Sequence, residues 1–264
     1  MSIFDTEHNL FIKKLKKERL VVTFFRLIIV IVFLLSWEIL ARGEIINTFL
    51  FSSPSRVLIT LINLFNDGEL FKHIGITLYE VLISFGITGV VGIGCAFLLW
   101  KCPTLAKIID PYLTILNSLP KVALGPLIII WVGASTNSII FMALMISCFV
   151  TIINIYNNFI NTDNGYITLM KSFNASDLQI FRKVILPSNL QNIVSAMKVN
   201  VSMSLIGVIM GELLVSKSGI GYLIMYGSQV FNIDLVITGV FILGIISYIM
   251  YYFISKLESC IRYK

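Results

Sequence analysis

The sequence predicts an all-α, polytopic membrane protein with about six spanning helices. Three observations carry this: a composition too apolar for water, apolar runs each long enough to cross a bilayer, and basic residues confined to the gaps between them. Of 264 residues, 57% are hydrophobic and only 13% charged, with a mean hydropathy of +0.92, whereas soluble domains carry roughly 25% charged residues. The formal net charge of +6 does not read as a nucleic-acid footprint. Its cations interrupt apolar runs, where they signal topology.

The chain opens with the basic stretch KKLKKERL, then an apolar run. That run exceeds the roughly 7–15 residues of a signal-peptide core, and no convincing small-residue cleavage site follows. Residues 1–20 therefore read as a cytoplasmic segment and the run as a retained first helix of a membrane domain over 21–264. Crossing hydrocarbon takes roughly 20 apolar residues at about 1.5 Å each. Spans are expected at 21–41, 76–100, 108–131, 138–159, 195–215 and 235–255.

Six spans put both termini on one side. With that side cytoplasmic, Lys13, Lys14, Lys16, Lys17, Arg19, Lys101, Lys107, Lys171, Arg182, Lys183, Lys256, Arg262 and Lys264 lie inside. Only Arg42, Arg56, Lys72 and Lys217 lie outside, which fixes the orientation by the positive-inside rule.

Two stretches do not span. The outer one, 42–75, is partly helical: SPSRVLITLINLF starts an amphipathic pattern after Pro54 and ends at the turn residues Asn66, Asp67 and Gly68. The third span is interrupted by Pro111, Pro120, Gly125 and Pro126. Each proline removes an amide donor, and in lipid such a break survives only against protein or a wet cavity. This segment either borders a pathway or is a kinked packing helix.

The inner stretch, 160–191, contains NASDLQIFRKVILP. Ser176 with Gln179 three residues on is a capping box. Leu178, Phe181 and Ile185 are expected on one face, with Pro187 stopping the helix. Before it, a short helix over 166–173 must turn at Asn174, a residue that tolerates the left-handed conformation. The loop reads as helix, tight turn, helix, suited either to docking a soluble partner or to lying on the membrane surface.

This loop resembles the signature of binding-protein-dependent permeases of ATP-binding-cassette (ABC) importers: Glu-Ala-Ala, three residues, Gly, nine residues, Ile, any residue, Leu-Pro. Leu186 and Pro187 match, Val184 takes the Ile position, Asn174 the Gly position, and Thr168, Leu169 and Met170 replace Glu-Ala-Ala. Asn for Gly keeps the turn chemistry, while the acidic residue is lost. FLFSSPSRVLITL, NDGELFKHIGITLYEVLISF, SLPKVALGPLIIIWVG and GELLVSKSGIGYLI resemble the outer segment, second span, proline-rich third span and fifth-span end of the nitrate, sulfonate and taurine branch.

The resemblance implies a type I importer permease in the bacterial plasma membrane, multi-pass with cytoplasmic termini. Its partners would be a second permease copy, two cytosolic ATPase subunits and an extracytoplasmic substrate-binding protein. ATP would be bound by the ATPase and no cofactor by this chain. Asn174, Ala175, Ser176, Gln179, Phe181, Arg182, Leu186 and Pro187 would form the ATPase-coupling surface, and the solute would be a sulfonate-, nitrate- or taurine-like anion. Near relatives carry vitamin or pyrimidine precursors. A stand-alone secondary transporter would need internal repeats, which are not evident, and a membrane enzyme would need a catalytic cluster, which is absent from the pattern. No GxxxxGK[ST] phosphate loop occurs.

Within the spans, Glu212 lies in an apolar run where a bare carboxylate costs on the order of 3 kcal/mol at mid-membrane. It is either a pathway gate or a structural hydrogen-bond partner of a neighbouring helix. Gly207 and Gly211 make a small-xxx-small pair for close helix packing. Lys121, between Pro120 and Val122 in the broken span, either attracts an anion, snorkels, or pairs with Glu80 or Glu212. With Pro126, these are the candidate pathway residues. Glu80, Asp110 and Arg26 read as near-interface residues, Cys95, Cys102, Cys148 and Cys260 as free thiols, and His8 and His73 as terminal or loop-borne.

Overall fold

The structure, a computed structural model, describes residues 3–262, without the side chains of 3–13, 15, 16, 19 and 260–262. Expectations for His8, Lys13, Lys16, Arg19, Cys260, Arg262 and Lys264 fall outside the described residues. The chain forms two compact units, Met1–Asn63 and Leu64–Lys264.

The first unit is built on α1 (Ile3–Arg42), whose apolar stretch Leu20–Arg42 has a mean hydropathy of 2.6. Near its end Glu38 accepts hydrogen bonds from Arg42 Nε at 2.6 Å and Ser55 N at 3.1 Å. Asn47 caps the short α2 (Thr48–Phe51), accepting from Phe49 N. The amphipathic α3 (Pro54–Asn66) starts at Pro54 and is followed by Gly68 at φ 73°, the turn read from sequence.

The second unit comprises α4 (Glu69–Lys101), α5 (Pro103–Ser118), a 3₁₀ turn (Lys121–Leu124), α6 (Gly125–Val132) and α7 (Thr136–Ile160). The inner segment follows, with α8 (Asn164–Ser172), α9 (Asp177–Ile180), a π-helical turn (Phe181–Ile185) and α10 (Leu186–Ser188). Then come α11 (Leu190–Val215), α12 (Ile220–Gln229) and α13 (Ile233–Arg262).

Helices α1, α4, α7, α11 and α13 each carry a stretch long and apolar enough to cross a membrane. The expected third span, 108–131, is instead two helices: α5 and the segment Lys121–Val132 meet at an angle of 83°. The break falls at Leu119 and Pro120, where Pro120 has no amide hydrogen to continue the helix ladder.

Register decides what the broken pair does. Val81 packs with Ile139 and Ala143, the Thr88 and Ser147 hydroxyls are 2.9 Å apart, and Ala96 packs with Ile155 and Phe159. Residue numbers rise together, so α4 and α7 are parallel. A re-entrant loop would return the chain to the face it left and make them antiparallel, so α5 and α6 together carry the chain across. Gly207 against Ala143 and Gly211 against Ile139 make α11 antiparallel to α7. Ser195 and Lys198 bonded to Glu258 make α13 antiparallel to α11.

The interior between α4, α7 and α11 mixes aliphatic groups with small hydroxyls. Ser84, Ser147 and Thr151 donate to carbonyls one turn back, at 2.7, 2.8 and 2.8 Å. Asn200 donates to Phe85 O at 3.2 Å and accepts from Ser204 Oγ at 3.2 Å. Satisfied in this way, polar groups can sit inside a bundle whose outside is apolar: Val90, Ile130 and Trp131 are 76%, 78% and 70% exposed.

Candidate functional site

The inner hairpin is specified by local chemistry. Asp163 caps α8 by accepting from Gly165 N at 2.8 Å. The helix ends where Asn174 takes φ 53°, and Ala175 N closes the turn on Met170 O at 3.1 Å. Ser176 N donates to Gln179 Oε1 at 2.8 Å and Gln179 N to Ser176 Oγ at 3.4 Å, both bonds of the capping box.

Beyond the box the face differs in part from the expected one. Leu178 is 57% exposed, and the buried set is Ile180, Phe181 and Ile185. Phe181 and Ile185 turn inward as expected, and the π turn, in which Leu186 N bonds to Phe181 O, five residues back, lets Ile180 and Ile185 share that buried face. Leu178 precedes the turn and lies off that face. The same turn absorbs Pro187, which does not stop the helix as expected but sits in α10, leading through Asn189 into α11.

Phe181 anchors the hairpin to the bundle. Its ring centroid lies 4.4 Å from Phe97, 5.9 Å from Trp100 and 5.4 Å from Phe159, an aromatic cluster worth more than its area alone. Asn189 ties the far end by donating to Thr162 Oγ1 at 2.6 Å and to Ile185 O at 2.9 Å. Exposed on the hairpin are Leu169, Phe173 and Leu178, with Lys171, Arg182 and Lys183 beside them. Replacing Ser176 by alanine is expected to cost about 1 kcal/mol. Asn174→Gly should be tolerated and Asn174→Val strained by its φ, all read as the rate of limited proteolysis within 164–188.

The candidate pathway residues separate. Lys121 Nζ donates to Asn117 Oδ1 at 3.1 Å and to Ile146 O at 3.3 Å, and lies 5.6 Å from the Phe149 ring centroid. It does not pair with Glu80 or Glu212. Pro120 and Pro126 are exposed at the break.

Glu212 is 1% exposed within this chain, and its hydrogen bonds are of the structural kind weighed in the sequence. Its Oε1 accepts from Thr77 Oγ1 at 2.6 Å and its Oε2 from Gly221 N at 2.5 Å. Thr77 Oγ1 in turn accepts from Ile220 N at 2.9 Å, and His73 Nδ1 from Gly219 N at 2.9 Å. With Nδ1 accepting, the His73 proton sits on Nε2, 3.0 Å from Glu69 Oε2. The segment joining α11 to α12 is thus clipped onto α4. The glycines of GIGY are required there, because a Cβ on Gly219 would overlap the Glu212 carboxylate and one on Gly221 would fall 2.6 Å from Glu212 Cβ.

Glu80, 1% exposed, faces the Glu212 carboxyl and the Thr136 hydroxyl, although neither oxygen reaches hydrogen-bond geometry with a described group. His73 therefore lies in α4 and not in a loop, and both His73 and Glu80 are buried against protein. The sequence carried a signal for this: His73, Thr77, Glu80, Ser84 and Thr88 recur every three or four residues, a polar stripe on one helix face.

Residues 86–263 match the family described as the binding-protein-dependent transport system inner membrane component. A Haemophilus influenzae protein named as a probable ABC transporter permease protein is 31% identical over 88% of this chain and 94% of its own. The formylaminopyrimidine transport permease protein of Halalkalibacterium halodurans is 27% identical, over 89% of this chain and 92% of its own. The taurine transport system permease protein of Escherichia coli is 22% identical, over 83% of this chain and 82% of its own. Among solved structures, a chain of the inward-facing methionine ABC transporter MetNI aligns with a TM-score of 0.65 at 18% identity, covering 72% of this chain and 94% of that one. The fold is that of a type I ABC importer permease. The chain belongs to the binding-protein-dependent transport system inner membrane components, multi-pass transport permeases that are not enzymes.

Proposed function

We propose that this chain forms the translocation pathway of an ATP-driven importer as a homodimer. Two cytosolic ATPase subunits would dock on the 164–188 hairpin, and an extracytoplasmic binding protein would deliver the solute. Residues 1–20 and the C-terminus would face the cytoplasm, as the lysine and arginine placement requires. Coupling would work by moving the hairpin as a body with the bundle, a two-state element biased by ATP.

The observation that carries this is the division of the hairpin into two faces. Phe181, Ile180 and Ile185 are sunk into the bundle, while Phe173 and Leu178 remain 74% and 57% exposed at the end of a capped, tightly turned element. A rigid lever needs such an anchored face and a free one. Asn174, Ala175, Ser176, Gln179, Arg182, Leu186 and Pro187 shape or border it. Purification of tagged chain from its native membrane is expected to recover an ATP-hydrolysing subunit. Phe173→Glu with Leu178→Glu should lose that subunit while leaving thermal stability in detergent unchanged. Recovery unaffected by the double change would reject the docking face.

The solute we favour is a small sulfonate- or taurine-like anion or zwitterion, on the likeness to the taurine permease and the resemblance over all four outer and membrane segments. A pyrimidine precursor is the second reading, favoured by the 27% identity to the formylaminopyrimidine permease.

A further inference from the structure

At the inner ends of α7 and α11 lies an open groove of about 290 Å3, lined by Asn154, Asn157, Asn158, Asn192 and Ser195 over Ala196. The antiparallel register that seats Gly207 on Ala143 and Gly211 on Ile139, continued inward, brings Asn158 opposite Asn192. Both helices thus turn carboxamides to one place.

Asn154, Asn157 and Asn158 have no side-chain hydrogen bond to another described residue. Asn192 spends only one donor, on Asn189 Oδ1 at 3.3 Å. Each carboxamide offers two donors and an acceptor oxygen. Leaving three such groups unpaired against hydrocarbon is costly, so polar side chains gathered at a span end face water or a solute.

The lining carries no charge. Beside it, Lys198 and Glu258 form an ion pair whose two charges offset each other, Glu258 also accepting from the Ser195 hydroxyl at 3.0 Å. A groove with balanced donors and acceptors and no net charge holds a solute by hydrogen bonds at both kinds of group, and gives a bare anion no counter-charge.

We infer that this groove is a solute contact site at the inner end of the pathway, taking a small neutral or zwitterionic polar molecule by hydrogen bonding. This rests on the permease reading above and narrows it, favouring an amino-sulfonate or hydroxypyrimidine over a simple alkanesulfonate or nitrate.

The test uses the full chain in inside-out membrane vesicles, with native cysteines replaced by serine and Asn154→Cys or Asn158→Cys introduced singly. A membrane-impermeant cationic methanethiosulfonate is the probe. Ile130→Cys, at a position 78% exposed on the apolar outside of α6, is the control. Both groove cysteines are expected to react at least about tenfold faster than the control, since thiol reactivity follows access to water. Millimolar taurine or formylaminopyrimidine should slow the reaction, and ethanesulfonate should not. Unreactive groove cysteines, equal indifference to all three solutes, or protection by ethanesulfonate would each overturn the inference. The labelling needs no ATPase, so its failure is separable from a failure to recover that subunit.

Discussion

Replacing Gly207 by leucine is expected to leave little folded protein. A Cβ there would lie 2.5 Å from Ala143 Cα and 3.0 Å from Ala143 Cβ, and one at Gly211 would lie 2.9 Å from Ile139 Cα. These neighbours are Cα atoms and a Cβ fixed to one of them, so no rotamer change relieves them and α7 must move off α11. Overpacking typically costs about 1–3 kcal/mol, and separating two helices whose association rests on close packing costs more than a local adjustment. Alanine at Gly207 should already lower the melting temperature in detergent. The contrast lies in the same helices' surroundings: Gly86 and Gly94 in α4 have nothing within 4 Å of a built Cβ. Gly86→Ala and Gly94→Ala should be neutral or stabilising by about 0.5–1 kcal/mol, the helix-propensity gain. Equal destabilisation at all of these positions would remove the close-approach account.

What the sequence made legible was local or periodic. Apolar run length placed α1, α7 and α13 closely, because hydrocarbon thickness sets a minimum that any apolar run must meet. The capping box and the turn at Asn174 were readable because their partners lie three to five residues apart and depend on residue type alone. The inward face of the hairpin was legible in part: Phe181 and Ile185 turn inward as expected, but the π turn that sets Ile180 on the same face as Ile185 is announced by no side chain. Likewise Pro187 looked like a terminator under the α-helical rule, and the π turn removes the clash that the rule assumes. The aromatic seat of Phe181 joins residues from α4 and α7, and one partner of Glu212, Thr77, lies 135 residues away on α4. Such pairings exist only once α4 has packed against α7 and α11, although the polar stripe from His73 to Thr88 marked which face of α4 would receive them.

Glu212 supplies the sharper test of what the buried acid does. Glu212→Ala removes the acceptor for two donors, Thr77 Oγ1 and Gly221 N, inside a site with 1% exposure. Each buried donor left unmet costs about 1–3 kcal/mol, although within membranes single hydrogen bonds average nearer 0.6 kcal/mol. For the two donors together this is about 1–6 kcal/mol, and the α12 clip should loosen, seen as faster hydrogen exchange at the amides of Gly219, Ile220 and Gly221. Glu212→Gln keeps the volume and one acceptor oxygen, and its amide nitrogen can donate to Glu80, whose own oxygens lack a partner. The glutamine change should therefore retain most of the stability and most of the transport that alanine loses. If Glu212 instead carried charge or a proton for the pathway, glutamine and alanine would impair transport equally while glutamine left the melting temperature intact. A transport defect that follows the melting temperature across both changes assigns Glu212 to the architecture. Its position then explains GIGY as well: the two glycines are the space the carboxylate occupies, so Gly221→Ala should mimic Glu212→Ala without touching the acid.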